Sequence, residues 1–222
     1  MVNMMKLSDQ TVEVLQNFST INQSLLFKEG NTLRTVSPQK TVLAEVEVGD
    51  EFEQEFGIYD LGQFLSALSL IEDPALTLGS DGLTISDGNG TALDYRYADA
   101  SMIVTPPEKA LTLPDVNATF VLTSDNLKSV LQAARVLGLP EIIVKGVDGK
   151  IVISAGDSKN TSMNSFSKTV GKTDAEFMHV FKVDNMKMMV LEYNVEISTK
   201  GISKFFTSDG RVTYFVATES RS

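Results

Sequence analysis

The chain has 222 residues, of which 42% are hydrophobic, 19 are basic and 29 are acidic, and its formal net charge is −10. It contains no cysteine, which excludes disulfides, thiolate metal sites and thiol catalysis and favours a reducing compartment. The acidic balance argues against an open nucleic-acid binder that relies on affinity, because such proteins carry a basic surface. No apolar run approaches the length of a membrane span, and the first ten residues lack the apolar core of a signal peptide.

The first half of the chain predicts two amphipathic helices among short strands. Residues 8–21 repeat apolar side chains at a spacing of 3.6 residues, and Ser8 can cap this helix. The second helix follows Asp60 as its cap, and its inward residues are Leu61, Phe64, Leu65, Leu68 and Ile71. Strands are predicted over 24–29, 32–36, 41–48, 52–58, 75–80, 82–90, 91–98 and 101–105, with a hairpin turn around Gly88 and Gly90.

Residues 105–115, TPPEKALTLPD, hold three of the six prolines and predict an extended connector. We therefore expect a first domain over 1–105, a connector over 106–115 and a second domain over 116–222. The second domain repeats the pattern, with helices over 124–138 and 184–191 and strands over 118–123, 141–157, 161–171, 176–183, 193–199, 202–208 and 211–219. Four helices that each precede several strands predict an α+β fold of two similar domains, with two helices packed on antiparallel sheets in each domain.

The sequence lacks the constellations that an enzyme or a metal site would need. The single histidine, His179, has no cysteine or second histidine to join it, so we expect a structural role. The stretch VGKT at 170–173 resembles the end of a phosphate-binding loop, but Phe166 stands where that loop requires glycine. We predict that the protein is not an enzyme and needs neither a cofactor nor a metal.

The helix over 124–138 carries the most informative charge pattern. Its core arc is predicted to contain Leu127, Val130, Leu131, Ala134 and Leu137, with Ser124 or Asp125 as the cap. Lys128, Gln132 and Arg135 are spaced i, i+4 and i+7, so they form a polar stripe on the opposite side. On the fourth helix, Lys187 should face away from the sheet. Taken singly, these cations are better explained by an ordinary solvated helix face, and so few charges would hold DNA weakly.

Four segments resemble the replication sliding clamp of tailed phages, the processivity factor of the phage DNA polymerase, which is similar in plan to proliferating cell nuclear antigen. They are LSDQTVEVLQNFSTIN at 7–22, IYDLGQFLSALSLIED at 58–73, GKIVI at 149–153 and NMKM at 185–188. The resemblance covers nearly the whole chain in order. It implies a homotrimeric ring of six similar domains that encircles duplex DNA, with the helices on the pore wall and the sheets outside.

The resemblance also implies partners and sites. The expected partners are double-stranded DNA, the phage DNA polymerase, an ATP-driven clamp loader and, for late transcription, host RNA polymerase with phage late factors, all in the host bacterial cytoplasm close to the nucleoid. Arg135 and Lys187 fall at basic pore positions of the family, whereas Gln132 stands where relatives can carry a cation. With Lys128 and Lys6 they are the predicted DNA-facing residues. The predicted groove for a partner's hydrophobic peptide is formed by Ile103, Val104, Leu111 and Leu113.

One alternative stays open at this point. A β-rich phage structural or interaction protein with a duplicated domain and no role on DNA would show the same pattern of elements.

Overall fold

The computed structural model describes residues 4–160 and 162–219, and the chain divides into two compact units, residues 1–107 and 108–222. Residues 1–3, 161 and 220–222, which the predicted domains 1–105 and 116–222 and the predicted strand 161–171 include, lie outside the described residues.

The first unit contains two helices among antiparallel strands. In chain order the elements are β1 (Met4–Met5), α1 (Asp9–Ile21), β2 (Leu25–Phe27), β3 (Gly30–Val36), β4 (Val42–Phe52), β5 (Phe56–Ile58), α2 (Leu61–Ser69), β6 (Ala75–Leu78), β7 (Gly82–Ser86) and β8 (Ala92–Arg96). One sheet has the order β1-β6-β7-β8, β2 pairs with β5, and β3 pairs with β4. The predicted hairpin is present, because Ser86 of β7 lies opposite Ala92 of β8.

Helix α1 begins where the sequence predicts. The Ser8 hydroxyl accepts a hydrogen bond from the Thr11 amide at 3.2 Å, which satisfies one of the free N–H groups at a helix start. Val14, Leu15 and Phe18 on its apolar face are at most 1% exposed and form the centre of the core of this unit.

Asn22 ends α1 and connects it to two other segments. Its backbone N–H donates to the Phe18 carbonyl, and its buried side-chain amide donates to the carbonyls of Val36 and Val104 at 3.0 and 3.3 Å. Its side-chain oxygen accepts from the Ser24 amide at 3.0 Å. One side chain therefore holds the end of the helix, the end of β3 and the segment after β8 in register.

Asp60 caps α2, as predicted. Its carboxylate accepts hydrogen bonds from the Gln63 backbone amide and from the Gln23 side-chain amide, both at 2.8 Å. These two donors stabilise the ionised form and lower the pKa of Asp60 below its usual value, with the Gln63 amide as the larger cause. The predicted inward residues of α2 are buried except Leu65, which is half-buried.

The described residues of the second unit contain one α-helix. Its elements are β9 (Val116–Leu122), α3 (Ser124–Leu137), β10 (Glu141–Val147), β11 (Lys150–Gly156), β12 (Phe166–Lys172), β13 (Phe177–Lys182), β14 (Tyr193–Ser198), β15 (Ile202–Phe206) and β16 (Val212–Ala217). One sheet has the order β12-β11-β10-β13, and the strands β9, β14, β15 and β16 pair in the order β9-β14-β15-β16. Helix α3 packs on β10, β11 and β12.

The predicted fourth helix is wrong. Only a single 3₁₀ turn, Val183–Asn185, is present there, and Met186 has the non-helical angles φ −82° and ψ 53°. Buried Met186 and Met188 alternate with half-buried Lys187. The Met189 carbonyl accepts from the Tyr193 hydroxyl at 2.8 Å, and its N–H donates to the Tyr214 hydroxyl at 3.4 Å. Because these tertiary contacts take up both backbone groups of Met189, and a helix of eight residues is only marginally stable, they outweigh its helix propensity.

Three smaller predictions are also corrected. The strand predicted over 101–105 is a 3₁₀ turn, Ala100–Met102, because the Asp99 carboxylate accepts from the Ser101 amide and curls the chain. The cap of α3 is Thr123 rather than Ser124 or Asp125, since the Thr123 hydroxyl accepts from the Asn126 amide. Leu137, predicted in the core, is 38% exposed at the last turn of α3. Within residues 4–160 and 162–219 there are thus three α-helices on antiparallel sheets, and the predicted α+β class is confirmed.

Candidate nucleic-acid interface

The exposed face of α3 brings three of the predicted site residues together. Lys128, Gln132 and Arg135 are all exposed, while Leu127, Val130 and Ala134 on the opposite side are at most 1% exposed. Among the residues that the structure describes, neither Lys128 nor Arg135 has a carboxylate within ion-pair distance. Both cations are therefore available to a polyanion. We call Lys128, Gln132 and Arg135 the α3 polar stripe.

The C-terminal end of α3 is a favourable position for the positive charge of Arg135. Gly138 adopts the left-handed conformation, with φ 63°, and its N–H returns to the Ala134 carbonyl. Arg135 lies in the last turn, where a cation interacts favourably with the free carbonyls and the negative end of the helix dipole.

Two predicted DNA-facing residues lie outside this stripe. Lys187 is half-buried in irregular backbone, so the helical-wheel argument for its direction no longer applies. Lys6 is exposed just after β1 and forms an ion pair with Asp73, which offsets its charge. Their contact with DNA stays a prediction.

The helices of the first unit present no comparable charge. The exposed residues of α1 include Asp9, Gln10, Glu13 and Gln16, and the helix contains no cation. Helix α2 contains no charged residue at all. The exposed basic residues on the described helices therefore belong to α3.

Net charge divides unequally between the two units. Residues 1–107 contain five basic and sixteen acidic residues, for a net charge of −11, whereas residues 108–222 contain fourteen and thirteen, for a net charge of +1. The formal charge of −10 is thus carried by the first unit. This segregation could have been read from the sequence once the boundary between the units was known.

The four predicted groove residues differ in exposure. Ile103, in the first unit, is only 7% exposed, whereas Val104 after it is 44% exposed and accepts the hydrogen bond from Asn22. Leu111 and Leu113 belong to residues 108–222, where Leu111 is 38% exposed and Leu113 is half-buried. Ile103 is therefore a core residue, and the other three offer partly exposed apolar surface.

Sequence reasoning missed Met102, the most exposed apolar side chain of this region at 64%.

The histidine is structural, as predicted. His179 is 9% exposed, and its Nε2 lies 2.7 Å from the side-chain oxygen of Asn117. In the described part of the chain, no group of three or more histidine, cysteine or acidic side chains could hold a metal ion. No described helix has both the length and the apolar character that crossing a membrane requires.

Family models match both halves of the chain. The model described as DNA polymerase processivity factor matches residues 6–105, and the model described as gp45 sliding clamp, C terminal, matches residues 119–220. The sliding clamp of Vibrio phage KVP40 is 35% identical over 97% of this chain and 100% of its own length. The sliding clamp of Enterobacteria phage T4 is 33% identical over 98% of both chains.

Solved structures show the same fold at lower identity. Archaeal PCNA from A. fulgidus, bound to the C-terminal region of FEN-1, has a TM-score of 0.71 and 17% identity over 99% of this chain and 98% of its own. The proliferating cellular nuclear antigen of Entamoeba histolytica has a TM-score of 0.69 and 10% identity over 95% of both chains. The predicted fold of two similar domains is confirmed, apart from the missing fourth helix.

Proposed function

The chain belongs to the sliding clamp family of phage DNA polymerase processivity factors, and from that premise we propose that three copies form a ring around duplex DNA. The observation that carries this proposal is the match to sliding clamps over 97–98% of the chain, both units included. The ring tethers the phage DNA polymerase to its template. The α3 polar stripe faces the DNA, and Lys187 and Lys6 stay secondary candidates.

Edge strands support a closed ring of copies. In the described chain β8 pairs only with β7, and β12 pairs only with β11, so each leaves a row of unpaired backbone groups. In the second unit, strand β13 is the opposite edge of the sheet that contains β12. This edge is partly covered, because the Glu219 amide donates to the Val180 carbonyl and Glu219 forms an ion pair with Lys182. Pairing of β8 with β12 of the next copy is head-to-tail, which closes into a ring when the rotation permits.

Charge favours this pairing of edges. Strand β12 carries two cations, Lys168 and Lys172, whereas β8 carries one charge of each sign, Asp94 and Arg96, and belongs to the unit with a net charge of −11. Opposite charges on neighbouring strands stabilise a sheet, so the basic edge of one copy matches the acidic unit of the next.

A ring changes what the DNA contacts must achieve. A closed ring cannot dissociate sideways from DNA, so a few contacts with the phosphates, independent of sequence, are sufficient. The acidic first unit repels DNA that lies outside the ring.

Partners beyond DNA and polymerase are proposed from family membership alone. We propose an ATP-driven loader that opens the ring, a role with host RNA polymerase in late transcription, and action in the host cytoplasm. Ile103 and Val104 of the first unit and Leu111 and Leu113 of the second stay our candidates for contact with the partners' hydrophobic peptides, and Val104, Leu111 and Leu113 offer the partly exposed apolar surface.

The test is retention on DNA of different topology. Loaded protein should persist on a closed circle and escape after the circle is cut once, and light scattering should give three chains of 24.2 kDa each, about 73 kDa in total. Equal loss from circle and linear form would overturn the proposal.

A charge-reversed pair tests the α3 polar stripe. Lys128→Glu with Arg135→Glu should shorten retention on the circle and leave the trimer intact. The matched control is Lys145→Glu with Lys150→Glu, which makes the same charge change on exposed residues of the neighbouring strands β10 and β11. Equal loss in both variants would mean that total charge, and not the stripe, governs retention.

A further inference from the structure

Lys168 occupies a position in β12 where an apolar residue would be expected. In the register of the sheet, Lys168 lies directly opposite Ile153 of β11, so the two side chains project from the same face. Ile153 is 1% exposed, and α3 packs against this sheet. Lys168 therefore projects from the face of the sheet that α3 covers.

The amine of Lys168 reaches the flank of α3. Its Nζ lies 3.4 Å from the Ser129 hydroxyl, and the lysine is half-buried. Among the described residues it has no ion-pair partner. Partial burial of an unpaired ammonium group costs free energy. Packing of the lysine stem on apolar surface offsets that cost when the amine still reaches solvent.

The amine lies on the other side of the α3 polar stripe. Ser129 follows Lys128 in sequence and is therefore about 100° around the helix from it, beyond Gln132. Lys128 and Arg135 lie along one side of the exposed face of α3, and Lys168 lies along the other side. Asp125, the only acidic residue of α3, is one turn before Ser129.

We infer that Lys168 is a third DNA-contacting cation of the second unit, which binds a backbone phosphate beside α3. This inference rests on the proposed function, because it needs a duplex that passes the exposed face of α3. The ligand is a phosphodiester oxygen of double-stranded DNA, bound without regard to sequence. The competing explanation is that Lys168 only guards an edge strand against unwanted pairing, as inward-pointing charges can do.

Because the chain has no cysteine, a single introduced thiol reports proximity to DNA directly. Lys168→Cys, Arg135→Cys and Lys172→Cys, each in the full-length protein, are threaded onto duplex DNA that carries a disulfide-activated tether on one backbone phosphate and blocked ends. We expect crosslinks from Lys168→Cys and Arg135→Cys, and none from Lys172→Cys, the matched lysine of the same strand.

The outcomes separate the two claims. A crosslink at Arg135→Cys without one at Lys168→Cys would overturn the inference and leave the proposed function standing. No crosslink from either variant would overturn both, and crosslinks from all three would overturn the inference because they show no preference for the α3 side.

The salt dependence of DNA binding distinguishes phosphate contact from edge protection. Lys168→Met keeps the stem and removes the charge, and it should make the slope of log K against log salt shallower by about 0.9 for each Lys168 that contacts a phosphate. Lys145→Met, at an exposed lysine on the other face of the same sheet and away from the β12 edge, should leave the slope unchanged. An unchanged slope in Lys168→Met, with or without increased aggregation, would assign Lys168 to edge protection and overturn the inference.

Discussion

Replacement of Asn22 by alanine should destabilise the first unit because two backbone carbonyl groups lose their hydrogen-bond donor. The substitution removes the donor that satisfies the carbonyls of Val36 and Val104, at 3.0 and 3.3 Å. A buried group left without its partner costs about 1–3 kcal/mol, and the contact at exposed Val104 costs less because water can replace the donor. The Ser24 amide also loses its acceptor. We therefore expect the free energy of unfolding to fall by about 3 kcal/mol, which lowers Tm by roughly 6–12 °C for a chain of this size.

Asn22→Asp sharpens this test, because it keeps the size and the acceptor but directs a carboxylate oxygen at two carbonyls. Repulsion from these carbonyls raises the pKa of the introduced acid above its value in the unfolded chain. The destabilisation relative to wild type is therefore small below the unfolded pKa, about 3.9, and grows as pH rises through the folded pKa.

The assay for both Asn22 variants is urea unfolding at pH 4 and pH 7, with Gln16→Ala on the exposed side of α1 as the control. A loss below about 0.5 kcal/mol in Asn22→Ala, the range of ordinary surface changes, would refute the reasoning. So would an effect of Asn22→Asp that is equal at the two pH values.

Three further substitutions test the structure elsewhere. Asp60→Ala should lower Tm at pH 7, and the difference from wild type should shrink as pH falls through the lowered pKa of Asp60, which a thermal scan at pH 7 and pH 3 would check. Gly57→Ala would place a Cβ 2.8 Å from the Ala98 backbone oxygen, which cannot move as freely as Cδ1 of Ile103 at 2.7 Å, so we expect a loss of roughly 1–3 kcal/mol by urea unfolding and weaker binding of partner peptides. Tyr193→Phe should cost about 1 kcal/mol by the same assay, because the half-buried Met189 carbonyl loses the Tyr193 hydroxyl as a donor; an unchanged midpoint would contradict that role.

Local signals were sufficient to predict most of the fold. Ser8 and Asp60 mark the starts of α1 and α2 because a cap acts within three residues, and the apolar spacing of α1 identifies its buried face. The fourth helix could not be excluded in this way. Its methionines favour a helix, and what overrides that preference is hydrogen bonding to Tyr193 and to Tyr214, which is 25 residues away from Met189 in sequence.

The same distinction applies to the candidate site. The α3 polar stripe depends only on helical spacing, so the sequence predicts its exposure correctly. Lys168 could not be found from sequence, because a lysine in a strand with polar neighbours shows no inward direction until the register with Ile153 is known. The predicted direction of Lys187 lost its basis for the corresponding reason, since it depended on a helix that does not form.

The division of charge between the units resolves the apparent conflict between an acidic chain and a DNA-encircling role. At physiological ionic strength the Debye length is about 8 Å, so a phosphate beside α3 responds to charges in its immediate surroundings rather than to the net charge of −10. There it meets Lys128, Arg135 and, by our inference, Lys168, against a single Asp125. Each phosphate contact contributes a slope of only about 0.9 in log K against log salt. A surface with so few cations therefore binds DNA weakly by itself, and the DNA dissociates from it readily. In the ring that we propose, retention comes from closure, and a protein retained by closure is free to slide because its contacts remain few and exchangeable.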